Sequence, residues 1–204
     1  MAGNQGWVLQ RVTVKKRRGM NYFKAMLCVL KLDEKVYQEI ASRGFSVRYS
    51  MINVLVLGIL YGISSLFFID PESLQDIGHP SGIMLVKFIV IITGILIAFL
   101  LHMGAAFLLW SFGRGVGGEG RFLSVYFNLG VAIVPLWFAV PGLAALQAGG
   151  RTPVVTTYAA VAGIYTLFSF FMATKSTLGL SYGKMFLAVA MMLVFIISFL
   201  YLWI

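Results

Sequence analysis

Residues 83–112 read IMLVKFIVIITGILIAFLLHMGAAFLLWSF, 30 residues with a single charge, Lys87. A helix that crosses the hydrocarbon core of a bilayer needs about 20 mostly apolar residues. At 1.5 Å per residue this run would be about 45 Å long. That exceeds a hydrocarbon layer of roughly 30 Å, so the helix must tilt or project beyond it. Four more apolar runs lie at 49–69, 122–146, 154–173 and 182–204. The five runs occupy most of the 204 residues, and 60% of the chain is hydrophobic against 11% charged. An ordinary soluble domain has about 45–50% and 25%. The expected fold class is therefore all-α, an integral membrane bundle of five transmembrane helices preceded by a cytoplasmic amphipathic, interfacial helical segment. The chain divides into a basic tail at 1–19, the interfacial segment at 20–48 and the five-span domain at 49–204, with no length left for a second folded domain.

Charge placement predicts the orientation. Ten of the 16 Lys and Arg residues precede Tyr49. Counted on alternate sides of the five runs, the basic residues divide 14 to 2. The positive-inside rule then places the N-terminus in the cytoplasm and the C-terminus outside. No signal-peptide-type apolar run follows Lys15, Lys16, Arg17 and Arg18, so insertion is expected to be directed by the first span. The net charge is +9, and the basic N-terminal segment is expected to lie beside a membrane. Anionic lipid headgroups are thus the expected partner of Lys15, Lys16, Arg17, Arg18, Lys24 and Lys31, and nucleic acid is not. The one cysteine, Cys28, has no intrachain disulfide partner, in keeping with a reducing compartment.

Residues 20–43 predict an interfacial helix in one or two pieces. Phe23, Met26, Leu27 and Leu30 recur at helical spacing, with Lys24, Cys28, Lys31 and Lys35 on a separate stripe. Asn21 can cap the first piece, and Asp33 a second piece that carries Val36, Tyr37 and Ile40. Such a segment either lies in the headgroup layer or packs on the ends of the spans, and the two are compatible.

Inside the spans a few residues depart from plain hydrocarbon. Gly58 and Gly62 form a Gly-x-x-x-Gly pair that suits close helix approach, internal or between copies. Asn53 stands near the cytoplasmic end of the first span, at an interface level. His102 is the one histidine within a span, and Asn128 in the third span is its expected polar partner, with the helix tilt deciding whether they meet. The ring is expected either as a neutral packing group or, less simply, as part of an ion or proton path. Pro135 and Pro141 interrupt the third span, each removing a donor and crowding the carbonyl four residues earlier. The broken stretch must then pack on other helices or line a wet cavity. The fourth span is rich in small and hydroxyl residues suited to close packing, Ser169 among them. The fifth ends in Tyr201 and Trp203, an interface pair.

Catalytic chemistry is not expected. Residues 113–120 read GRGVGGEG, and Gly115, Gly117 and Gly120 match the spacing of a dinucleotide fingerprint. That fingerprint needs a βαβ unit, and both flanks here are apolar helices. Gly115, Gly117, Gly118 and Gly120 instead form a flexible cytoplasmic turn between two spans. Cys28, His79 and His102 fall at three different levels, so no metal set is expected. No span carries a carboxylate for acid–base work. The expectation is a protein with no cofactor, no metal and no enzymatic activity.

Gly118–Glu119–Gly120–Arg121–Phe122, followed by Gly130 and Pro135, resembles the Ypt-interacting-protein (Yip) domain family. There a glycine-rich turn leads through an aromatic residue into a span with a Gly-x4-Pro step. Thr177–Leu178–Gly179–Leu180–Ser181 ahead of Lys184, and Val36, Tyr37 and Ile40 ahead of the first span, are similar to the bacterial branch. The resemblance extends over residues 20–204. The chain has Val131 where the family often has Tyr, and it lacks the acidic, aromatic N-terminal motif of eukaryotic members. Those departures point to a bacterial cytoplasmic membrane and away from a Rab-GTPase role. The resemblance implies five spans, a cytoplasmic N-terminus, and service in membrane organisation or as a partner subunit without a catalytic site.

The expected function is a non-enzymatic scaffold or accessory subunit of a membrane complex, with other membrane proteins as partners, transporter subunits among them. The alternatives are a small transporter or channel subunit, with a path near the Pro-broken third span, and a membrane-shaping protein that uses the interfacial helix as a wedge.

Overall fold

The computed structural model describes residues 21–69 and 79–201, with side chains through residue 198. The basic cluster Lys15–Arg18, the acidic loop residues Asp70, Glu72 and Asp76, and Trp203 lie outside the described residues. All regular structure among the described residues is helical. Two short helices, α1 (Tyr22–Leu30) and α2 (Lys35–Ser42), precede α3 (Ser46–Leu66) and α4 (Pro80–Gly115). The third apolar run forms two helices, α5 (Phe122–Ala132) and α6 (Val134–Gln147), and α7 (Pro153–Leu178) and α8 (Tyr182–Tyr201) complete the chain.

α3, α4 and α7 are each long and apolar enough to cross a membrane. α5 and α6 reach that length only together, bent by 66°, and count as a fourth crossing if the pair is one span. α8 is also apolar, but over a shorter described stretch, Tyr182–Ser198. The long helices begin and stop where local chemistry dictates. Pro80 and Pro153 stand in the first turns of α4 and α7, where a missing N–H leaves no bond unmade. Thr152 caps α7 by accepting from the Val155 N–H at 3.4 Å. Gly179, at φ +66°, closes α7 in the left-handed conformation that glycine tolerates.

α3 is the centre of the bundle and packs on α4, α5 and α6. Its closest approach is to α4, through three glycines. A Cβ on Gly58 would lie 2.5 Å from the Ile95 Cα, and one on Gly62 would lie 2.6 Å from the Ile91 Cα. Gly94 on α4 faces them, and a Cβ there would lie 2.8 Å from the Gly58 carbonyl oxygen. The Gly-x-x-x-Gly pair is thus spent on packing within the chain.

α1, α2, the 116–121 loop and the α7–α8 turn gather at one end of the bundle. At the opposite end Tyr61 on α3 donates to Gln147 at the close of α6. The two-piece reading of 20–43 matches α1 and α2. Asn21 occupies the cap position of α1 but makes no side-chain cap bond, whereas the Asp33 carboxylate accepts from the Lys35 N–H at 3.1 Å. The apolar stripe of α1 divides between two surroundings. Ala25, Met26 and Val29 are buried against α2, α3, α5 and α6, while Phe23 is 73% exposed and Leu27 58% exposed. One stripe wider than a packing face explains the split.

Glu34, between α1 and α2, ties this layer to the bundle. Its carboxylate meets the Lys175 ammonium at 2.7 Å and accepts from the Tyr182 hydroxyl at 3.5 Å. Lys175 also lies 4.0 Å from the centre of the Tyr182 ring. Lys175 is the more enclosed partner, its side chain 11% exposed against 29% for Glu34. Glu34→Ala should therefore cost about 2 kcal/mol by stranding a buried ammonium, and Lys175→Met distinctly less. A double-mutant cycle on unfolding in detergent checks both the size and the asymmetry.

Candidate functional site: the polar junction at the broken helix

Pro135 has no N–H and crowds the carbonyl of Val131, and the helix gives way at Ile133, between α5 and α6. Leu136 N–H turns to the Ile133 carbonyl at 2.8 Å, a tighter turn than an α-helix. Residues 128–135 are all buried, so the carbonyls released here have no water to turn to.

Side chains from neighbouring helices take that place. The Asn53 amide on α3 donates to the Gly130 carbonyl at 3.2 Å and to the Val131 carbonyl at 3.4 Å. The Ser169 hydroxyl on α7 donates to the Ala132 carbonyl at 2.9 Å. Three consecutive carbonyls on the α5 side of the break thus each have a side-chain donor. The donors are themselves held. Tyr22 on α1 donates to the Asn53 side-chain oxygen at 2.5 Å, and the Trp137 indole donates to the Asn53 backbone carbonyl at 3.1 Å. The Tyr37 hydroxyl on α2 lies 3.2 Å from that of Ser169. Ser169 spends its one proton on Ala132, so Tyr37 is the donor of that pair. Gly130 admits the neighbouring helix, because a Cβ there would collide with the Ser50 hydroxyl. The junction therefore joins α1, α2, α3 and α7 to the elbow of the third apolar run.

Burial pushes the Tyr37 phenol well above its ordinary value, and burial pushes Tyr22 up as well. A raised phenol stabilises the fold below the unfolded-chain value of about 10, and that stability is lost as pH rises through the folded value. Tyr37→Phe should lower stability by about 1 kcal/mol near neutrality for the lost hydrogen bond. It should also flatten the fall of stability above about pH 10. Unfolding midpoints measured across that range would show the two curves converging.

His102 and Asn128 are both buried, but their side chains meet different partners. The His102 Nε2 lies 3.0 Å from the Tyr126 carbonyl oxygen, and its ring lies tilted against that of Tyr126, with centres 4.5 Å apart. Asn128 accepts from the Ser46 hydroxyl at 3.1 Å and donates to the Thr177 hydroxyl at 2.9 Å. The histidine thus reaches the backbone of α5 two residues short of Asn128, which sits level with the start of α3. Pro141 lies inside α6, which continues through it. Of the two prolines only Pro135 stands at the break.

The glycine-rich turn is packed rather than loose. Gly117 adopts φ +93°. A Cβ on Gly118 would lie 2.8 Å from the Gly113 carbonyl oxygen, and one on Gly120 would lie 2.7 Å from the Leu178 side chain, whereas Gly115 has open space around it. The Glu119 N–H donates to the Leu178 carbonyl at 3.2 Å, which binds the turn to the α7–α8 corner. Lys24 and Lys31 stand exposed on and just beyond α1. No group of three or more metal-ligating side chains occurs among the described residues.

Sequence reasoning noted Asn53, Tyr37 and Ser169 but gave them separate, ordinary roles, and it passed over Glu34 and Tyr22. One signal was present. Pro135 leaves the Val131 carbonyl in need of a donor, and Asn53 is an amide in a neighbouring apolar run. No family model, no curated protein and no solved structure matches the chain.

Proposed function

We propose that this chain is a non-enzymatic, five-span adaptor or accessory subunit of a bacterial cytoplasmic membrane complex, similar to the Yip family. In this reading α8 is the fifth span, the N-terminus is cytoplasmic and the C-terminus is outside. The observation that carries it is the α1–α2 layer. Two large apolar side chains, Phe23 and Leu27, stand exposed next to Lys24 and Lys31 on a helix fastened to the bundle through Tyr22 and Glu34. A rigid, basic and apolar surface of that kind suits a headgroup layer or the juxtamembrane face of a partner subunit.

Two measurements test the reading. In a Cys28→Ser background, cysteine placed at Lys24 should label only after the inner face is opened, and cysteine placed at Arg151 should label from outside. Phe23→Ser with Leu27→Ser should leave the fold intact and remove partners that co-purify in mild detergent. Reversed labelling sinks the topology, and an unchanged partner set sinks the adaptor role.

The second reading, a small transporter or channel subunit, is favoured by one observation, a cavity of about 250 Å³ lined in part by His102. Its other lining residues are apolar except for Tyr61 and Gln147. Flux in reconstituted vesicles that disappears in His102→Ala would favour this reading over the adaptor.

A further inference from the structure

A second cleft, of about 250 Å³, opens where the starts of α3 and α5 meet the α2–α3 corner. Gly44 forms its edge at that corner, Ser46 and Val47 one wall in the first turn of α3, and Leu123, Ser124 and Phe127 the other in the first turns of α5. The Ser46–Asn128 hydrogen bond, at 3.1 Å, joins the two walls. The level of the cleft follows from the length of α3. Its 21 residues make a helix of about 31 Å, close to a hydrocarbon layer of roughly 30 Å. With α3 across a bilayer, its first turn lies at the edge of the hydrocarbon. Asn128 is level with that turn, and the residues of α5 before it, Phe122 to Phe127, add about 9 Å of helix beyond. The α5 wall thus rises into the headgroup layer.

The chemistry changes with depth. At the outer level the Ser124 hydroxyl lines the cleft and makes no hydrogen bond among the described residues. Arg48 follows Val47 directly, and Arg121 precedes Ser124 by three residues, a spacing that makes neighbours on a helix. Both arginines are exposed, and neither has an ion pair among the described residues. Segments 39–48 and 119–128, which build the cleft, also carry Glu39, Arg43 and Glu119. Arg43 holds Glu39 at 2.7 Å, which leaves two guanidiniums against the one carboxylate of Glu119. Deeper, the surface is apolar. Val47, Met51 and Leu55 follow at four-residue spacing, one above another on α3, and are 49%, 39% and 42% exposed. An apolar strip therefore descends from the Val47 wall into the hydrocarbon.

We propose that this cleft binds an anionic phospholipid, with the phosphate at the mouth among Arg48, Arg121 and the Ser124 hydroxyl and one acyl chain along Val47, Met51 and Leu55. Guanidinium and hydroxyl donors suit phosphate oxygens, and excess positive charge at a headgroup layer selects anionic lipid over zwitterionic. The volume equals that of about eight waters, room for a phosphodiester rather than a lone ion. A water-soluble phosphate would use the mouth and leave the apolar strip uncovered. The site lies apart from Lys24 and Lys31 and requires only that α3 span the bilayer, so it stands or falls independently of the adaptor reading.

The test uses the full chain in phosphatidylcholine nanodiscs that contain a trace of photoreactive lipid. The probe is phosphatidylglycerol or phosphatidylcholine, each with the same diazirine-bearing acyl chain. Labelling of residues 47–55 and 123–127 should favour phosphatidylglycerol on the order of tenfold, the pull of two arginines at a bilayer surface. Labelling of Leu96 and Leu100, exposed in the middle of α4, should not discriminate. Arg48→Gln with Arg121→Gln should remove the preference. Ser124→Phe keeps every charge but fills the cleft, and it should remove the preference as well. All three positions are exposed, so the variants should keep the wild-type unfolding midpoint in detergent. Water-soluble glycerol 3-phosphate should not compete. Equal labelling of 47–55 and 123–127 by the two probes, a preference that survives Ser124→Phe, or displacement of the lipid by glycerol 3-phosphate would each overturn the proposal.

Discussion

Asn53→Leu is expected to destabilise the protein by about 3–5 kcal/mol, among the largest effects open to a single substitution. Leucine has the same number and branching of side-chain heavy atoms, though its methyl groups are bulkier, so the larger part of the loss is one of hydrogen bonds. The change removes the donor shared by the buried Gly130 and Val131 carbonyls and takes the acceptor from the half-buried Tyr22 hydroxyl. Asn53→Asp separates the two halves of this function. It keeps the oxygen that accepts from Tyr22 and loses both amide protons, so it should cost nearly as much as leucine. Ser169→Ala removes the donor to the Ala132 carbonyl, while the Tyr37 hydroxyl keeps the Ser169 backbone carbonyl at 3.4 Å, and should cost about 2 kcal/mol. Denaturation in detergent, followed by helix content and by Trp137 fluorescence, gives the order. An Asn53→Leu protein that unfolds at the wild-type midpoint would mean that the elbow does not depend on side-chain donors.

The second large effect is expected at the α3–α4 contact. Gly58→Val with Gly62→Val should prevent the native bundle from forming in detergent. At both positions the atom that a new Cβ would strike is backbone, Ile95 Cα or Ile91 Cα, and backbone in a packed helix cannot step aside as a side-chain tip can. Overpacking at a site free to adjust costs about 1–3 kcal/mol, and two adjacent backbone collisions should exceed that range. Gly104→Ala and Gly163→Ala provide the contrast, since nothing lies within 4 Å of a Cβ at either. Those changes should be neutral or raise stability by a few tenths of a kcal/mol through helix propensity. Similar losses for all four glycines would indicate a general intolerance of substitution and remove the backbone contact as the cause.

The contrast between these glycines also marks what a single sequence conveys. Apolar length depends on composition along one helix, so the long runs were legible, and Gly58 and Gly62 were visible as a close-packing pair. Their partner Gly94 was not, because nothing local distinguishes it from Gly104. The prolines follow the same rule. Pro135 and Pro141 read alike, yet the chain breaks only at Pro135, where Asn53 and Ser169 can serve the exposed carbonyls. Whether a proline breaks a buried helix depends on donors from other helices, which one segment does not encode. His102 and Asn128 were recognised as polar residues in need of partners, but the pairing of the two was read from depth alone. Their actual partners, the Tyr126 carbonyl and the Ser46 and Thr177 hydroxyls, depend on rotation about the helix axis as well. Glu34 and Lys175 are 141 residues apart and lie on no shared pattern. The glycine-rich turn seemed loose because its tight fit depends on Leu178, on a different helix.

Synthesis runs from residue 1 onward, and that order bears on the elbow. When residues 130–135 leave the ribosome, Asn53 has already been made, but Ser169 lies 37 positions downstream of the carbonyl it will serve. The Ala132 oxygen must therefore stay provisionally solvated, or borrow a partner from the insertion machinery, until α7 arrives. The kink is born incomplete, and a ribosome paused before residue 169 would hold a nascent chain whose third apolar run has not yet acquired its final shape.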